Sequence, residues 1–313
     1  MIISASRRTD IPAFYSDWFL GRIHDGEVMV RNPVRSDQVS RIRLSPDVVD
    51  CIVFWTKNPA PMLKRLGELD DYMFYFLFTL NPYENDIERN LPTKNERIET
   101  FRELSEAIGK ERVVWRYDPI LISENCDVEW HLDRFAELAS ELRSWTERCI
   151  ISFLDVYRSI ARNLSEAGIR KPDDDEILKI ARGFSSIASK CGISVSTCAE
   201  ERDLSEFGIG HASCIDGSLI EKLTGYPLDV SKDRNQRECC GCVESIDIGS
   251  YETCPHGCVY CYANHSETKL ERNLAAYDPT SPLLCDLLHE GDVVKDREVR
   301  SLKSNQLKLP LDG

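Results

Sequence analysis

The chain has 313 residues, of which 42% are hydrophobic and 29% are charged, so a large core is expected and wholesale disorder is disfavoured. Acidic residues outnumber basic ones by 53 to 39, and the formal charge of −14 argues against broad attraction to nucleic-acid phosphates. The amino terminus lacks an apolar leader, and the longest apolar run, YMFYFLFTL, is too short to span a bilayer. We therefore expect a cytoplasmic protein without membrane contact.

Short β-rich runs recur before residue 200 and predict seven strands. These runs are apolar on both faces, as buried parallel strands are. They begin at Ile2, Glu27, Cys51, Tyr72, Arg112, Cys149 and Ile193. Amphipathic helical patterns lie between several of them, over residues 95–109, 128–145 and 172–192. The alternation of strands and helices predicts an α/β fold with a parallel sheet.

The number of βα units approaches the eight of a TIM-like (β/α) barrel. The segment ESIDIGS, residues 244–250, alternates apolar and polar side chains and is our candidate for the closing strand. We therefore expect one barrel over residues 1–264, which includes a cysteine-rich loop at 238–264. Residues 265–313 are expected to form a C-terminal extension packed on this barrel.

Polar side chains cluster where the predicted strands end. Since the carboxyl ends of parallel strands share one face of a barrel, these side chains should converge on one mouth. They include Arg31 with Asn32, Thr56 with Asn58, Thr79 with Asn81, Asp155 and Glu200. The candidate catalytic residues at this mouth are Arg7, Arg8, Asp10, Lys57, Arg116 and Asp118. The cations would hold a carboxylate or phosphate, and the aspartates would accept hydrogen bonds or take a proton.

Three cysteines follow the predicted closing strand within one short loop. Cys254, Cys258 and Cys261 have the spacing C-x₃-C-x₂-C, and Pro255 and Gly257 supply turn residues between them. A structural zinc site is closed by four ligands, whereas a cubane held by three cysteines leaves one iron open. The count of three favours an iron–sulfur cluster over zinc or unliganded thiols.

The loop TCPHGCVYCYAN resembles the signature loop of radical S-adenosylmethionine enzymes, in particular the spore photoproduct lyase-like branch. This resemblance implies a [4Fe-4S] cluster on the three cysteines, S-adenosylmethionine on the open iron and Tyr260 beside the adenine. It also implies reductive cleavage of the cofactor, with an electron donor such as ferredoxin or flavodoxin, to give a radical that abstracts hydrogen from a substrate. In those enzymes the loop follows the first barrel strand. Here it follows the predicted last strand, which implies a circularly permuted barrel.

Over nearly the whole chain the sequence resembles an uncharacterised microbial family, domain of unknown function 1848. The matching segments include SASRRTDIPAF, VFWTKNP, FTLNPY, WRYDPI, RNQR and DIGSYETCPHGCVYCYAN. This second resemblance implies no activity. No glycine-rich or Gly-Gly-Glu segment matches the other S-adenosylmethionine contacts of radical enzymes.

Four further cysteines could close a second metal site. Cys240 and Cys242 precede the triplet, whereas Cys198 and Cys214 follow the seventh predicted strand. Together they could hold an auxiliary iron–sulfur cluster or a structural zinc ion, and Cys239 could replace one of them. The alternative is that Cys198 and Cys214 are buried apolar residues.

These features favour a radical S-adenosylmethionine enzyme that acts on a small anionic substrate. One alternative is a non-catalytic iron–sulfur protein that passes electrons or binds a ligand. A second is a nucleic-acid lesion repair lyase, which the lyase-like loop suggests and the acidic charge opposes. A third is a barrel hydrolase with zinc at the cysteines. The expected partners are the substrate and the electron donor, and nucleic acid is not expected.

Overall fold

The computed structural model of the protein describes residues 1–304. Its strands are β1 (Ile2–Ala5), β2 (Glu27–Arg31), β3 (Gln38–Arg43), β4 (Cys51–Thr56), β5 (Phe74–Thr79), β6 (Val113–Ile120), β7 (Arg148–Phe153), β8 (Ser194–Cys198), β9 (Gly210–Ala212), β10 (Ile246–Asp247) and β11 (Val293–Asp296). Its helices are α1 (Ile11–Phe14), α2 (Ser16–Asp25), α3 (Ala60–Leu63), α4 (Lys94–Ile108), α5 (Val128–Leu142), α6 (Ala161–Glu166), α7 (Asp174–Cys191), α8 (Gly217–Thr224) and α9 (Glu267–Ala275).

Eight parallel strands form one large sheet in the order β10-β1-β4-β5-β6-β7-β8-β9. Helix α4 lies between β5 and β6 in the chain, α5 between β6 and β7, and α7 between β7 and β8. Such crossovers are what parallel neighbours require. The predicted α/β fold with a parallel sheet is confirmed.

The large sheet is open in the described part of the chain. Strands β10 and β9 form its two edges, and no pairing joins them within residues 1–304. The predicted closing strand does pair with β1, through Ile246 and Asp247. It takes the position beside the first strand but does not reach the opposite edge, so the predicted closed TIM-like barrel is not observed.

One of the strands predicted for the barrel, β2, lies in a second sheet. Strand β2 pairs antiparallel with β3, and β3 pairs in parallel with β11. Only residues 32–37 join β2 to β3, so the two strands form a hairpin, whereas a parallel partner would need a crossover of about a dozen residues. The prediction placed β2 in the main sheet because its apolar run resembles the others.

One face of the large sheet packs against helices. Phe54, Phe76 and Trp115 point to this side and share a core cluster with Phe101 of α4 and Phe135 of α5. The ring of Trp115 stacks on that of Phe135 with centroids 5.0 Å apart. This helical layer corresponds to the outer layer of a barrel.

The opposite face of the large sheet packs against α8 and the cysteine-containing segments around it. Side chains such as Val53 and Leu77 belong to this second cluster. Tyr75 holds the layer in place, because its Oη donates to the Cys214 carbonyl at 2.5 Å and accepts from Asp216 N at 3.2 Å. Leu219 and Ile220 of α8 belong to the same cluster, so this face of the sheet has a packing partner.

The three predicted long helices are present, and each begins after a residue whose side chain caps it. Thr93 and Glu96 form a capping box at the start of α4, and Asp173 and Glu176 form another at the start of α7. Helix α7 ends at Gly192, whose φ of 70° lies in the left-handed region that glycine tolerates best. These caps fix where each crossover helix begins and returns to the sheet.

Residues 265–304 contact α2 and the small sheet. Trp18 of α2 donates to the Ser281 carbonyl at 2.9 Å, and Met29 N donates to the Pro282 carbonyl at the same distance. Residues 305–313 of the predicted extension lie outside the described residues. Within residues 1–304, no helix has the length and apolar character needed to cross a membrane.

Candidate functional site

A cavity of about 560 Å³ opens at the carboxyl ends of the strands of the large sheet. Ligands of open parallel sheets bind at this end, because loops from several strands meet there. Its walls come from the ends of β1, β4, β6, β7 and β8 and from the segment around β10. The cavity is lined by the candidate catalytic residues, by Tyr260 and by the seven main candidate metal ligands: Arg7, Arg8, Asp10, Lys57, Arg116, Asp118, Cys198, Cys214, Cys240, Cys242, Cys254, Cys258, Tyr260 and Cys261.

Of the other polar residues expected at this mouth, Thr56, Thr79 and Asp155 line the cavity, whereas Arg31, Asn32, Asn58, Asn81 and Glu200 do not. Arg31 forms ion pairs with Asp286 at 2.5 Å and Asp292 at 2.7 Å. Because β2 belongs to the small sheet, its carboxyl end is not among those that surround the cavity. The arginine has a structural role in joining residues 286–292 to the hairpin.

Asp247 of β10 anchors the polypeptide that leaves β1. Its carboxylate accepts from Arg7 N at 2.9 Å and from the hydroxyls of Ser4 and Ser6 at 2.7 and 2.9 Å. The Arg8 guanidinium lies 3.9 Å from the same carboxylate. The pairing of β10 with β1 therefore fixes the backbone from which both arginines extend.

The Arg7 guanidinium lies over the Trp55 ring, 5.1 Å from its centroid, and 3.7 Å from the Asp233 carboxylate. Burial lowers the pKa of Arg7, but the negative charges of Cys242 and Asp247 raise this pKa by more, so the net shift is upward. Its Nη2 is buried and has no hydrogen-bond partner. Arg7 is therefore a charged group with an unsatisfied donor at the cavity.

Arg116 and Asp118 of β6 form an ion pair at 2.5 Å. Asp118 also accepts from the Ser152 hydroxyl, and its backbone N donates to Asn81 Oδ1 at 2.9 Å. Burial lowers the pKa of Arg116, but Asp118 and the thiols of Cys214 and Cys198 raise it by more, so the net shift is upward. Arg116 Nε is buried without a partner, so this arginine also retains an unsatisfied donor.

Lys57 is part of a buried ionic network behind Tyr260. Its Nζ lies 2.7 Å from Glu88 Oε1 and 2.9 Å from Tyr260 Oη, and Tyr260 also donates to Glu88. Arg97 Nη1 lies 3.2 Å from the other oxygen of Glu88. Burial raises the pKa of Glu88, but Lys57 and Arg97 lower it by more, so the net pKa shift is downward. The Lys57 charge is therefore balanced by Glu88, and the network fixes the Tyr260 ring.

Asp10 uses both of its carboxylate oxygens within the protein. Oδ1 accepts from Ala13 N at 3.0 Å and thereby caps α1. Oδ2 accepts from Lys57 N at 2.6 Å and lies 2.8 Å from Nε2 of His256. The structure therefore gives Asp10 a positioning role, which differs from the predicted contact with the substrate.

The cysteine triplet lies on a compact loop that follows β10. Asn90 holds this loop from outside, since its backbone N and its Nδ2 donate to two loop carbonyls at 3.0 and 2.8 Å. Gly257 has a φ of 68°, and a Cβ there would lie 3.1 Å from Asn90 Nδ2, so glycine suits this close approach. Burial raises the pKa of Cys254, Cys258 and Cys261, to about 12 for Cys258.

The other four candidate cysteines contact one another. Cys198 Sγ lies 3.0 Å from Cys214 Sγ. Cys214, Cys240 and Cys242 belong to one buried side-chain cluster, and Cys198 and Cys239 pack against it. Ile215 N donates to Cys242 Sγ, at 3.3 Å. The structure thus brings together thiols that are far apart in the sequence.

Within residues 1–304, no group of three or more His, Cys, Asp or Glu side chains is arranged to hold a metal ion. Thiolates on one tetrahedral zinc ion lie about 3.8 Å apart, because each Zn–S bond is about 2.3 Å. Cys198 and Cys214, at 3.0 Å, are closer than that and are at hydrogen-bonding distance. Cys239 does not join the group, because its Sγ donates to the Ala199 carbonyl at 3.2 Å.

Unsatisfied polar atoms concentrate at this cavity. Ten buried side-chain polar atoms have no hydrogen-bond partner in the part of the chain that the structure describes. Five of them belong to residues that line the cavity: Arg7 Nη2, Thr9 Oγ1, Arg116 Nε, His256 Nδ1 and Asn264 Oδ1. Since buried polar groups in proteins nearly always have a partner, this concentration indicates a site for a polar ligand.

Sequence reasoning missed Asp247 and Glu88 as members of this site, and it considered His256 only as a possible ligand or as a solvent-facing or hydrogen-bonding residue of the loop. Asp247 could have been found, because it is an acidic residue between two apolar ones in a strand that was predicted to be buried. His256 lies within the cysteine loop, so its proximity was evident and its partner was not. Glu88 gave no signal, because it lies in an irregular segment between β5 and α4.

The fold and the cavity define a parallel α/β protein with a polar, cysteine-rich site at the carboxyl ends of its strands. The chain belongs to the family described as Domain of unknown function (DUF1848), whose family model matches residues 2–263. This match confirms the family resemblance seen in the sequence and includes the cysteine triplet. No curated protein matches the chain.

Proposed function

We propose that the protein is a radical S-adenosylmethionine enzyme that acts on a small anionic substrate. In this proposal, Cys254, Cys258 and Cys261 hold a [4Fe-4S] cluster. The observation that carries it is the shared cavity: the C-x₃-C-x₂-C loop lines the same space as the unsatisfied donors of Arg7 and Arg116. A cluster site and an anion site would therefore face each other.

The residues present fit such a cluster. Three thiols are soft ligands suited to iron–sulfur centres, and three rather than four leave one iron open. In a four-iron cluster each cysteine binds a different iron, so its thiols need not converge on a single ion. The unpaired Nδ1 of His256 and Oδ1 of Asn264 lie within or beside the same loop, where a bound group would contact polar atoms.

When bound, the cluster and S-adenosylmethionine would supply the electron and the radical needed for hydrogen abstraction. The chain itself would bind and orient the reactants. Arg7, Arg8 and Arg116 would hold carboxylate or phosphate groups through charge-assisted hydrogen bonds. Asp118, paired with Arg116, would accept from an amine or hydroxyl of the substrate, and Tyr260 would border the adenine.

Lys57 and Asp10 would not contact the substrate. They would instead position the Tyr260 ring and the cysteine loop. The buried Glu88 holds Lys57 against the Tyr260 hydroxyl, and this contact would keep the ring in place beside the cofactor. Asp10 would orient the cysteine loop through His256. Their predicted direct contacts with substrate are therefore replaced in this proposal by positioning roles.

We further propose that the open sheet is a circularly permuted form of the barrel found in radical S-adenosylmethionine enzymes. Strand β10, which leads into the cysteine loop, is the neighbour of β1. The loop after the last strand of the sheet is thereby adjacent to the end of the first strand. This arrangement would give the cluster a position similar to the one it has in enzymes whose loop follows the first strand.

The proposal extends to partners and location. Reduction of a cluster requires an electron donor, for which ferredoxin or flavodoxin is suitable, and a reducing cytoplasm would keep the cysteines available as ligands. The exposed rim of the cavity, which includes Tyr251 and Tyr262, would be the approach for the substrate.

Anaerobic purification of the full chain tests the proposal. We expect a brown protein with about four irons in the cluster held by the triplet. Joint replacement of Cys254, Cys258 and Cys261 by Ser should remove that iron, whereas the control Cys191→Ser with Cys239→Ser should keep it. S-adenosylmethionine should perturb the electron paramagnetic resonance signal of the reduced cluster, and dithionite should then produce 5′-deoxyadenosine slowly.

The possible outcomes separate the candidate functions. A reducible cluster that neither responds to S-adenosylmethionine nor yields 5′-deoxyadenosine would favour a redox or ligand-binding protein. Iron that persists in the triple variant would contradict the cluster assignment. Zinc in place of iron at the triplet would favour the hydrolase alternative.

A further inference from the structure

The two edges of the open sheet are joined by thiols. Cys198 ends β8, and Cys214 follows β9, the strand at one edge of the sheet. Cys240 and Cys242 precede β10, the strand at the other edge. The segments that flank opposite edges therefore meet at these four side chains.

Two hydrogen bonds support this junction from the backbone. Val243 N donates to the Ile215 carbonyl at 3.1 Å, and Ile215 N donates to Cys242 Sγ at 3.3 Å. The segment after β9 and the segment before β10 are thus held side by side. These backbone contacts position the thiols of the two segments without a bound ligand.

The four cysteine side chains at this junction are largely shielded from solvent. Cys214, Cys240 and Cys242 are 4%, 5% and 2% exposed, and Cys198 contacts Cys214 at 3.0 Å. Four thiols in one cluster match the number of ligands in a tetrahedral zinc site, whereas a disulfide would use only two. Arg7 lines the same cavity as Cys242 and can balance the negative charge of such a site.

We propose that Cys198, Cys214, Cys240 and Cys242 bind one zinc ion in tetrahedral geometry, and that this ion ties the two edges of the large sheet together. Four thiolates are the ligand set of a structural zinc site, and within residues 1–304 these side chains would have to move into ligand geometry when the ion binds. The 3.0 Å separation of Cys198 and Cys214 would have to widen to about 3.8 Å around zinc, but to on the order of 6 Å around a cubane. The smaller movement favours a single ion over an auxiliary cluster.

This inference is independent of the proposed catalytic function. The zinc ion would stabilise the wall of the cavity from which Arg7 extends, and it would take the place of the strand pairing that closes a complete barrel. It requires no redox step, because zinc binding only displaces the thiol protons. A protein with no radical chemistry would retain the same zinc site.

Metal analysis of the anaerobically purified full chain tests the site. We expect about one zinc per chain, falling by about tenfold or more in the Cys240→Ser, Cys242→Ser double variant, because two of four ligands are lost. Cys239→Ser is the matched control, since Cys239 is adjacent in sequence and donates to the Ala199 carbonyl instead. The triplet variant should lose iron and keep its zinc, so failure of one proposal leaves the other intact.

Cobalt substitution provides a measurement that does not depend on variant folding. Wild-type protein in which cobalt replaces zinc should show the intense thiolate-to-cobalt charge-transfer and visible bands of tetrahedral tetrathiolate coordination. A purified wild-type protein without zinc, a Cys198–Cys214 disulfide, or iron–sulfur absorption that survives in the triplet variant would each overturn the zinc site. Equal zinc loss in Cys239→Ser and the double variant would overturn the ligand assignment.

Discussion

Nε2 of His256 lies 2.8 Å from Oδ2 of Asp10, although the two residues are 246 positions apart in the sequence. The same oxygen accepts from Lys57 N at 2.6 Å, while the other oxygen caps α1. One buried carboxylate therefore joins the segment after β1, the end of β4 and the cysteine loop. The positions of these three parts of the cavity depend on it.

Asp10→Asn tests this junction. The variant keeps the capping oxygen but replaces Oδ2 by an amide NH₂, which cannot accept from Lys57 N. We expect the free energy of unfolding to fall by about 1–3 kcal/mol, because a buried donor loses its partner. Urea denaturation measures the change. Asp127→Asn is the control, since Asp127 caps α5 with one oxygen and asparagine caps equally well; equal losses in the two variants would contradict the assigned role.

Glu88→Gln tests the buried network behind Tyr260. Glu88 balances Lys57 and Arg97, and its side chain is 0% exposed. Removing its charge leaves two buried cations without a carboxylate, so we expect a loss of about 3–5 kcal/mol in unfolding free energy at neutral pH. Glu84→Gln, an exposed change in the same segment, should have little effect. A loss in Glu88→Gln no larger than in this control would show that the network does not stabilise the fold.

The same network has a defined pH dependence. Because the folded pKa of Glu88 lies below its ordinary value of 4.5, the ionised carboxylate contributes stability above pH 4.5. That contribution is lost as the pH falls through the lower folded pKa. The difference in unfolding free energy between wild type and Glu88→Gln should therefore shrink on acidification. A difference that stays constant down to the acid transition would contradict the direction of this shift.

The pKa of Glu200 is shifted in the opposite direction to that of Glu88. Burial raises its pKa to about 7 from 4.5, and Oε1 accepts from Phe153 N at 2.8 Å. Because the folded pKa is the higher one, the associated stability is present below pH 4.5 and is lost as the pH rises to about 7. Glu200→Gln keeps the acceptor and removes the titration, so it should gain stability relative to wild type over this range. Unfolding measured from pH 4.5 to 8 checks this, with the exposed Glu201→Gln as control; parallel curves for wild type and Glu200→Gln would refute it.

Eight of the eleven strands within residues 1–304 were predicted from the sequence, and so was the end of the sheet where the candidate residues meet. Continuous apolar runs predicted the central strands, and the rule that carboxyl ends share one face predicted that Arg7, Arg116 and the triplet would meet. The alternating pattern at residues 244–250 also identified the strand that neighbours β1. These features depend on local composition and on the topology of parallel sheets.

The closure of the sheet and the partners of individual side chains could not be predicted from local composition. The apolar pattern of β2 is compatible with either sheet, and only its short connection to β3 makes the hairpin. Closure depends on what fills the inner face, which here is α8 together with the segment at Cys214. Lys57 was expected to be available to a substrate because its partner, Glu88, lies in an irregular segment with no periodic signal.

The cavity is expected to bind a small anion. Arg116 and Arg7 each have a buried N–H group without a partner, so inorganic phosphate should bind there and stabilise the protein at constant ionic strength. Arg116→Gln should weaken this binding by about tenfold to a hundredfold, the equivalent of one hydrogen bond to a charged group. Arg134→Gln is the control, because Arg134 also has an unpaired Nε but lies on α5 outside the cavity and pairs with Glu137. Calorimetric titration measures both variants. If Arg116→Gln binds phosphate as tightly as Arg134→Gln does, or if the wild type does not bind it, the cavity is not an anion site and the proposed substrate class is wrong.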